Sequence, residues 1–208
     1  MAEGYLAFTS LAGGAYNTGI GAYSLLSDTT GSLNTGVGAG ALLSNTANEN
    51  TATGAGTLFS NSTGIFNTAN GTFALFSNTT GTRNTATGVE ALVQDTTGEN
   101  NTATGGAALN DNIDSNDNTA DGFGALASNT SGGQNTAVGR FALNSNTTGN
   151  GNIALGRLAG GNLTTGDANI DIGNSGVAGE SATIRIGGAT QGTTFIEEGF
   201  EKLAADKG

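Results

Sequence analysis

The chain has no histidine, cysteine, proline or tryptophan. Without histidine there can be no Ser-His-Asp or Cys-His nucleophile system and no imidazole metal cluster. Without cysteine there is no disulfide and no thiolate metal site, a deficit that is neutral about redox compartment. Positive charge is scarce as well. Six Lys and Arg face 17 Asp and Glu, the net charge is −11, and no Lys or Arg precedes Arg83. A basic stripe for a phosphate backbone is therefore missing, which argues against nucleic acid as a partner. The same deficit argues against electrostatic docking on an anionic lipid surface. No apolar run approaches the roughly 20 residues of a membrane helix, so no membrane insertion is expected of this segment.

Glycine, in contrast, is abundant at 37 of 208 residues. It shows no three-residue period, which excludes collagen. The dominant feature is the pentapeptide Asn-Thr-(Ala/Gly)-x-Gly, which begins at Asn17, Asn34, Asn50, Asn67, Asn84, Asn101, Asn118 and Asn135, with variants at Asn152 and Asn169. Every step is 17 residues except Asn34 to Asn50, which is 16. A fixed period this short means one unit stacked on itself, which makes an enzyme or a cofactor site an unlikely design and a rod the expected one.

With the Asn as position zero, +4 is Gly throughout: Gly21, Gly38, Gly54, Gly71, Gly88, Gly105, Gly122 and Gly139. An obligatory Gly after a short extended run calls for positive φ or close backbone approach. Position +8 is Leu without exception from Leu25 through Leu42, Leu58, Leu75, Leu92, Leu109 and Leu126 to Leu143, and supplies the expected core. Positions +10 to +14 read Ser-Asn-Thr-Thr-Gly or similar, which is turn chemistry. The single short step is expected to lose its residue just after that turn.

Each coil is thus expected to hold two short strands, +0 to +3 and about +5 to +9, followed by a polar turn. Asn, Thr and Gly are poor helix formers and the runs are too short for stable helices. The fold class is all-β: about eleven coils pairing like strands in parallel, over residues 1–187. Counting back from Asn17 finds Gly4, Ala7, Phe8, Ser10 and Gly14 in phase, so the array reads as starting in mid-coil within a longer parent. Residues 188–208 read as a neck or linker, and Glu197 to Gly208 within it match no repeat and read as either the opening of a helical stalk or a cloning remnant.

Alternation places +1 and +3 on one side and +0 and +2 on the other. In the last coils +1 and +3 are apolar, as in Ile153/Leu155, Ile170/Ile172 and Ile184/Ile186. That pattern predicts +1/+3 as the inward face, with the Thr column at +1 half-buried. Tyr16, Tyr23, Phe66, Phe73, Phe123 and Phe141 are then candidates for a second apolar surface.

Asn135-Thr136-Ala137-Val138-Gly139, followed by Phe141-Ala142-Leu143, resembles the head repeat of trimeric autotransporter adhesins of the YadA-like type. Asn152-Ile153-Ala154-Leu155-Gly156 is similar to it too, and comparable arrays occur in phage tail fibres. The resemblance spans residues 2–187. It implies a left-handed parallel β-roll, a homotrimer about a threefold axis, and a role in attachment to a host surface protein or glycan. Most coils depart from the family in carrying Thr where it has Val at +1.

Gly36-Val37-Gly38 lies on the repeat and opens no helix, so it is not read as a phosphate loop. The acidic cluster Asp111, Asp114, Asp117 and Asp121 matches no EF-hand spacing. Asp121, at +3, is the one metal candidate, as three copies around an axis could hold water or a cation. Thr51-Ala52-Thr53, Thr85-Ala86-Thr87 and Thr102-Ala103-Thr104 give Thr-x-Thr columns suited to ice, so a monomeric ice- or glycan-binding solenoid is the rival to a fibre. The expected role is a non-catalytic segment of an extracellular fibre, on a cell surface or virion tail, projecting a tip and attaching through its side loops.

Overall fold

The computed structural model describes residues 1–188. The segment read as a neck or linker lies, from residue 189 onward, outside the described residues, and with it the part read as a stalk or cloning remnant. Twelve strands follow one another: β1 (Ala2–Glu3), β2 (Thr18–Ile20), β3 (Thr35–Val37), β4 (Thr51–Thr53), β5 (Thr68–Asn70), β6 (Thr85–Thr87), β7 (Thr102–Thr104), β8 (Thr119–Asp121), β9 (Thr136–Val138), β10 (Ile153–Leu155), β11 (Ile170–Ile172) and β12 (Ile184–Ile186). They form a single sheet in sequence order. Each strand lies parallel and in register on the next, as in Thr18 opposite Thr35 and Gly19 opposite Gly36. The chain is a parallel β-solenoid. Twelve strands at about 4.8 Å each give a rod roughly 50 Å long.

Only one strand forms per coil. The second expected strand, +5 to +9, is a run of turns, because +6 and +8 adopt left-handed conformations. Tyr23 has φ 63°, Leu25 52°, Phe73 58° and Leu75 50°. A left-handed leucine is strained by about 1–3 kcal/mol. Burial of the side chain and a hydrogen bond to the next coil offset that strain. Leu25 is fully buried, and its N–H donates to Ala41 O at 3.0 Å.

Inter-coil bonds continue around the circumference. Gly38 N–H reaches Ile20 O at 2.7 Å, Ser27 N–H reaches Leu43 O at 2.9 Å, and Arg83 N–H reaches Ile65 O at 3.1 Å. The +4 glycines meet both expected requirements. Gly21 has φ +122°, and a Cβ there would lie 2.6 Å from the carbonyl carbon of Gly38 in the next coil.

The facing is the reverse of the expectation. Positions +0 and +2 point into the coil, and +1 and +3 point out. In β7 only Ala103 is buried, and Thr102 and Thr104 are exposed. Space explains the reversal. The interior holds one Leu and one small residue, Ala in most coils, beside the strand, and a Cβ at Gly36 would already meet Ser24 Oγ at 2.7 Å and Leu25 Cγ at 3.5 Å. Ala fits at +2; Ile does not.

The other half of the interior is lined with amides. Each +0 Asn is buried and bridges two coils. Asn67 Oδ1 accepts from Asn84 N–H at 3.0 Å, and Asn67 Nδ2 donates to Gly81 O at 2.8 Å. A second ladder runs through +11. Asn61 Nδ2 donates to Asn45 Oδ1 at 2.7 Å, Asn78 Nδ2 to Asn61 Oδ1 at 2.7 Å, and Asn146 Nδ2 to Asn129 Oδ1 at 2.9 Å. Every rung thus satisfies buried backbone groups that the thin coil cannot expose to water.

The short coil keeps both ladders. Asn34 Nδ2 reaches Ala47 O at 2.7 Å where its counterparts reach a carbonyl one residue further on. The missing residue therefore lies inside the turn, between Asn45 and Ala47, and not after it.

Candidate functional site: the outward face of the sheet

The outward face is built by the alternation within each three-residue strand. β4, β6 and β7 present Thr at both outward positions: Thr51 and Thr53, Thr85 and Thr87, Thr102 and Thr104. Side chains within a strand stand about 6–7 Å apart and successive strands about 4.8 Å apart, so the in-register methyls and hydroxyls form a regular lattice. Toward the C-terminal end the face turns apolar. Ile153 is 43% exposed, Leu155 49%, Ile172 37%, Ile184 55% and Ile186 50%. These side chains fall in two adjacent in-register columns, Ile153 and Ile184 at +1 and Leu155, Ile172 and Ile186 at +3, and together form an apolar stripe, unusual on a solvated surface.

Asp121 and Asn70 lie on this face, exposed, at the ends of β8 and β5. Within one chain Asp121 is therefore not a buried carboxylate, contrary to the inward placement expected of it. Its in-register neighbours are Thr104 and Val138. The acidic cluster is not brought together. Asp114 and Asp117 border a polar cleft of about 380 Å³ with Ser131, Gln134 and Asn150, Asp111 accepts from Gln94 Nε2 at 2.8 Å, and Asp121 stands apart on the sheet. Among the described residues, no three His, Cys, Asp or Glu side chains are placed to hold a metal ion.

The aromatic residues flank the strand in two groups and do not form one surface. Tyr16 and Phe66 precede it, and Tyr16 is 86% exposed. Tyr23, Phe73 and Phe141 follow it; Tyr23 and Phe141 pair along the rod, and Phe73 meets Phe76 of its own coil edge to face at 5.5 Å. Tyr5 and Tyr23 meet edge to face at 5.5 Å, and Phe123 and Phe141 do so at 5.5 Å. Arg140 covers Phe141 at 4.3 Å from the ring centre. Phe59 and Phe76 stack at 5.0 Å.

Sequence reasoning missed the buried carboxylates. Asp28 and Asp95 occupy +11 rungs and Asp171 occupies +2, all fully or almost fully buried. The signal was available, since an Asn or Asp recurs eleven residues after the repeat Asn from Asp28 to Asn146. Burial pushes the Asp28 carboxyl above its ordinary value, with donors from Gly31 and Asn34 opposing. Burial pushes Asp95 up to about 7, against donors from Asn112 and Gly98. Asp171 is raised by burial and by the Glu180 charge, with Arg185 opposing. Arg185 itself is engaged by Glu180 at 2.7 Å, and neither Asp171 oxygen has a partner.

The fold and this face define a parallel β-solenoid with a Thr-to-Ile outward stripe. No protein-family model, no curated protein and no solved structure matches the chain.

Proposed function

We propose that the chain is a non-catalytic rod segment of an extracellular fibre, of the adhesin or tail-fibre type, that self-associates as a homotrimer through its outward sheet face. In this reading the coils wind left-handed and the stripe faces a threefold axis. The observation that carries it is the exposed double column Ile153, Leu155, Ile172, Ile184 and Ile186. Such a column is costly to leave in water and is relieved by packing against copies of itself. The Thr stretch would form a wetter interface, with Asp121 as a polar layer within it. Contacts to a host surface protein or glycan would fall on the turns, where sequence varies between coils, and three copies would multiply weak contacts by avidity.

The test is the solution mass by light scattering after size exclusion. Three times the chain mass is expected, falling to one chain in the double variant Ile153→Asp/Ile184→Asp with an unchanged circular dichroism spectrum. A single-chain mass for the unaltered protein would overturn the trimer.

A second reading is favoured by the outward Thr columns. A monomeric rod with Thr102 and Thr104 exposed in register with Thr85 and Thr87 is suited to ice binding, and the exposed aromatic flank to a glycan. Thermal hysteresis from a monomeric sample, lost in Thr85→Leu/Thr102→Leu, would select it.

A further inference from the structure

We propose that Asp95 is a structural proton-binding site: a neutral carboxylic acid that replaces an asparagine rung and donates its proton to Asn78 Oδ1. The +11 ladder has a direction. Each rung donates from Nδ2 to Oδ1 of the rung one coil earlier, as Asn78 does to Asn61 and Asn129 to Asn112. At Asp95 the pattern holds on one side only. Asn112 Nδ2 donates to Asp95 Oδ1 at 2.6 Å, which fixes that oxygen as the acceptor. The remaining oxygen, Oδ2, occupies the place where sister rungs carry Nδ2.

By the geometry of the sister rungs, Asn78 to Asn61 and Asn146 to Asn129, two acceptors then meet across one coil step. Asn78 Oδ1 and Asp95 Oδ2 are both buried and both without a hydrogen-bond partner. A single proton on Oδ2 converts this pair into a donor and an acceptor and restores the rung. Two orphaned acceptors in a dry interior otherwise cost about 1–3 kcal/mol each.

The neighbouring rungs act as controls. Asn146 Oδ1 is also orphaned, but the next +11 residue is Leu163 and the ladder ends there. One acceptor facing a hydrocarbon does not call for a proton. Asp28 is the first rung of the ladder, and the residue one coil earlier is Leu11. Both of its oxygens accept, from Gly31 N–H at 2.7 Å and from Asn34 Nδ2 at 3.4 Å. An ionised carboxylate suits that place and does not suit the middle of the ladder.

No cation compensates Asp95. The earlier coil contributes no charged group to the interior. Asp114, exposed on the turn of the later coil, adds a negative charge that also raises the Asp95 value. Arg83, Glu90, Glu99 and Asp117 are exposed, and Asp111 is half-exposed beside Gln94. Burial sets the direction, and the value of about 7 lies well above the ordinary 3.8.

The consequence for pH has a definite sign. The folded chain holds a proton that the unfolded chain releases at 3.8. Stability from this rung is therefore complete below about pH 4, falls as pH rises toward 7, and stays low above it. The interface between the coils of Asn67 and Asn84 is a pH-sensitive seam in an otherwise amide-locked rod.

Asp95→Asn supplies the missing donor without a titrating group. Its melting temperature is expected to match the unaltered protein near about pH 4 and to exceed it near about pH 8, where the folding equilibrium constant gains up to roughly a thousandfold. Asp28→Asn is expected to leave the Asp95 pH profile in place. A gap between Asp95→Asn and the unaltered protein that does not change with pH would overturn the proposal, as would failure of Asp95→Asn to fold, since the amide offers the same donor. Infrared spectroscopy decides independently. A protonated-carboxyl band should persist near about pH 6 in the unaltered protein and in Asp28→Asn/Asp171→Asn, and its absence there would sink the idea.

Discussion

The two halves of each coil interior solve the same packing problem differently. One half is apolar: Ala at +2, Ala at +7 and Leu at +8, as in Ala86, Ala91 and Leu92, all fully buried. The other half is polar: Asn at +0 and Asn or Asp at +11, equally buried. The apolar half gains from area removed from water and has no direction. The amide half gains little net per bond, about 0.5–1.5 kcal/mol, but fixes register, because each amide reaches one specific group in the coil before it or after it. The short coil shows which half governs. One residue is absent from its turn, and the amide rungs at Asn45–Asn61 and Asn34–Asn50 still close at 2.7 and 3.0 Å.

The difference can be broken or sharpened by substitution. Gly88→Ala should be the most damaging, because it disrupts the corner joining the strand to the apolar half. Gly88 has φ +138°, and a Cβ would lie 2.6 Å from Gly105 C. The strain alone is about 1–3 kcal/mol and the backbone collision adds to it. Loss of the cooperative thermal transition is the expected readout.

Asn84→Leu tests the amide half directly. It removes the acceptor for Asn101 N–H and the donor to Gly98 O. A loss of about 2–6 kcal/mol is expected for two orphaned buried groups, measured by urea unfolding. Little or no loss would mean that the ladder is passive filling. Asp171→Ala should act the other way, since it deletes two unpartnered buried oxygens. A gain of about 1–3 kcal/mol is expected near neutral pH. Because the Asp171 carboxyl is raised, that gain should shrink as pH falls and the carboxyl is protonated in both states.

Leu92→Met then probes the tolerance of the apolar half to a change of shape at nearly constant volume. A loss under about 1.5 kcal/mol is expected, well below that of Asn84→Leu. Thr102→Val on the outward face should change the stability of a single chain by no more than about 0.5 kcal/mol. A larger effect that depends on protein concentration would instead place Thr102 in an interface between copies.

Much of the architecture was legible in the chain. The period, the parallel stacking, the Gly column and the buried Leu column follow from spacing alone. Sidedness was misread, for a physical reason. Hydrophobicity at Ile153, Leu155 and Ile184 suggested an interior, but the interior is too thin for them and is closed by amides. Variation along the array carries the better signal. Position +3 changes from Ile20 through Thr53, Asn70 and Asp121 to Leu155, whereas +0 is Asn at every full coil. A place that accepts Ile, Asn and Asp alike is solvated; one that accepts only Asn is making directional bonds. The left-handed φ of Leu25 and its equivalents had no counterpart in propensity, because leucine seldom adopts that conformation. The outward stripe, the candidate surface, was visible as a pattern and assigned to the wrong side. The buried carboxylates at Asp28, Asp95 and Asp171 stood in plain sight at repeat positions and were passed over as turn or variant residues.

The inter-coil hydrogen bonds have a mechanical corollary. They connect each coil to the next all around its circumference. Under tension along the rod, coils act as springs in series and the bonds of one junction share the load in parallel. Rupture force is therefore set by the weakest junction, not by the number of coils. When Asp95 is ionised, its junction with Asn78 is one rung short, and pulling at rising pH should part the rod there first.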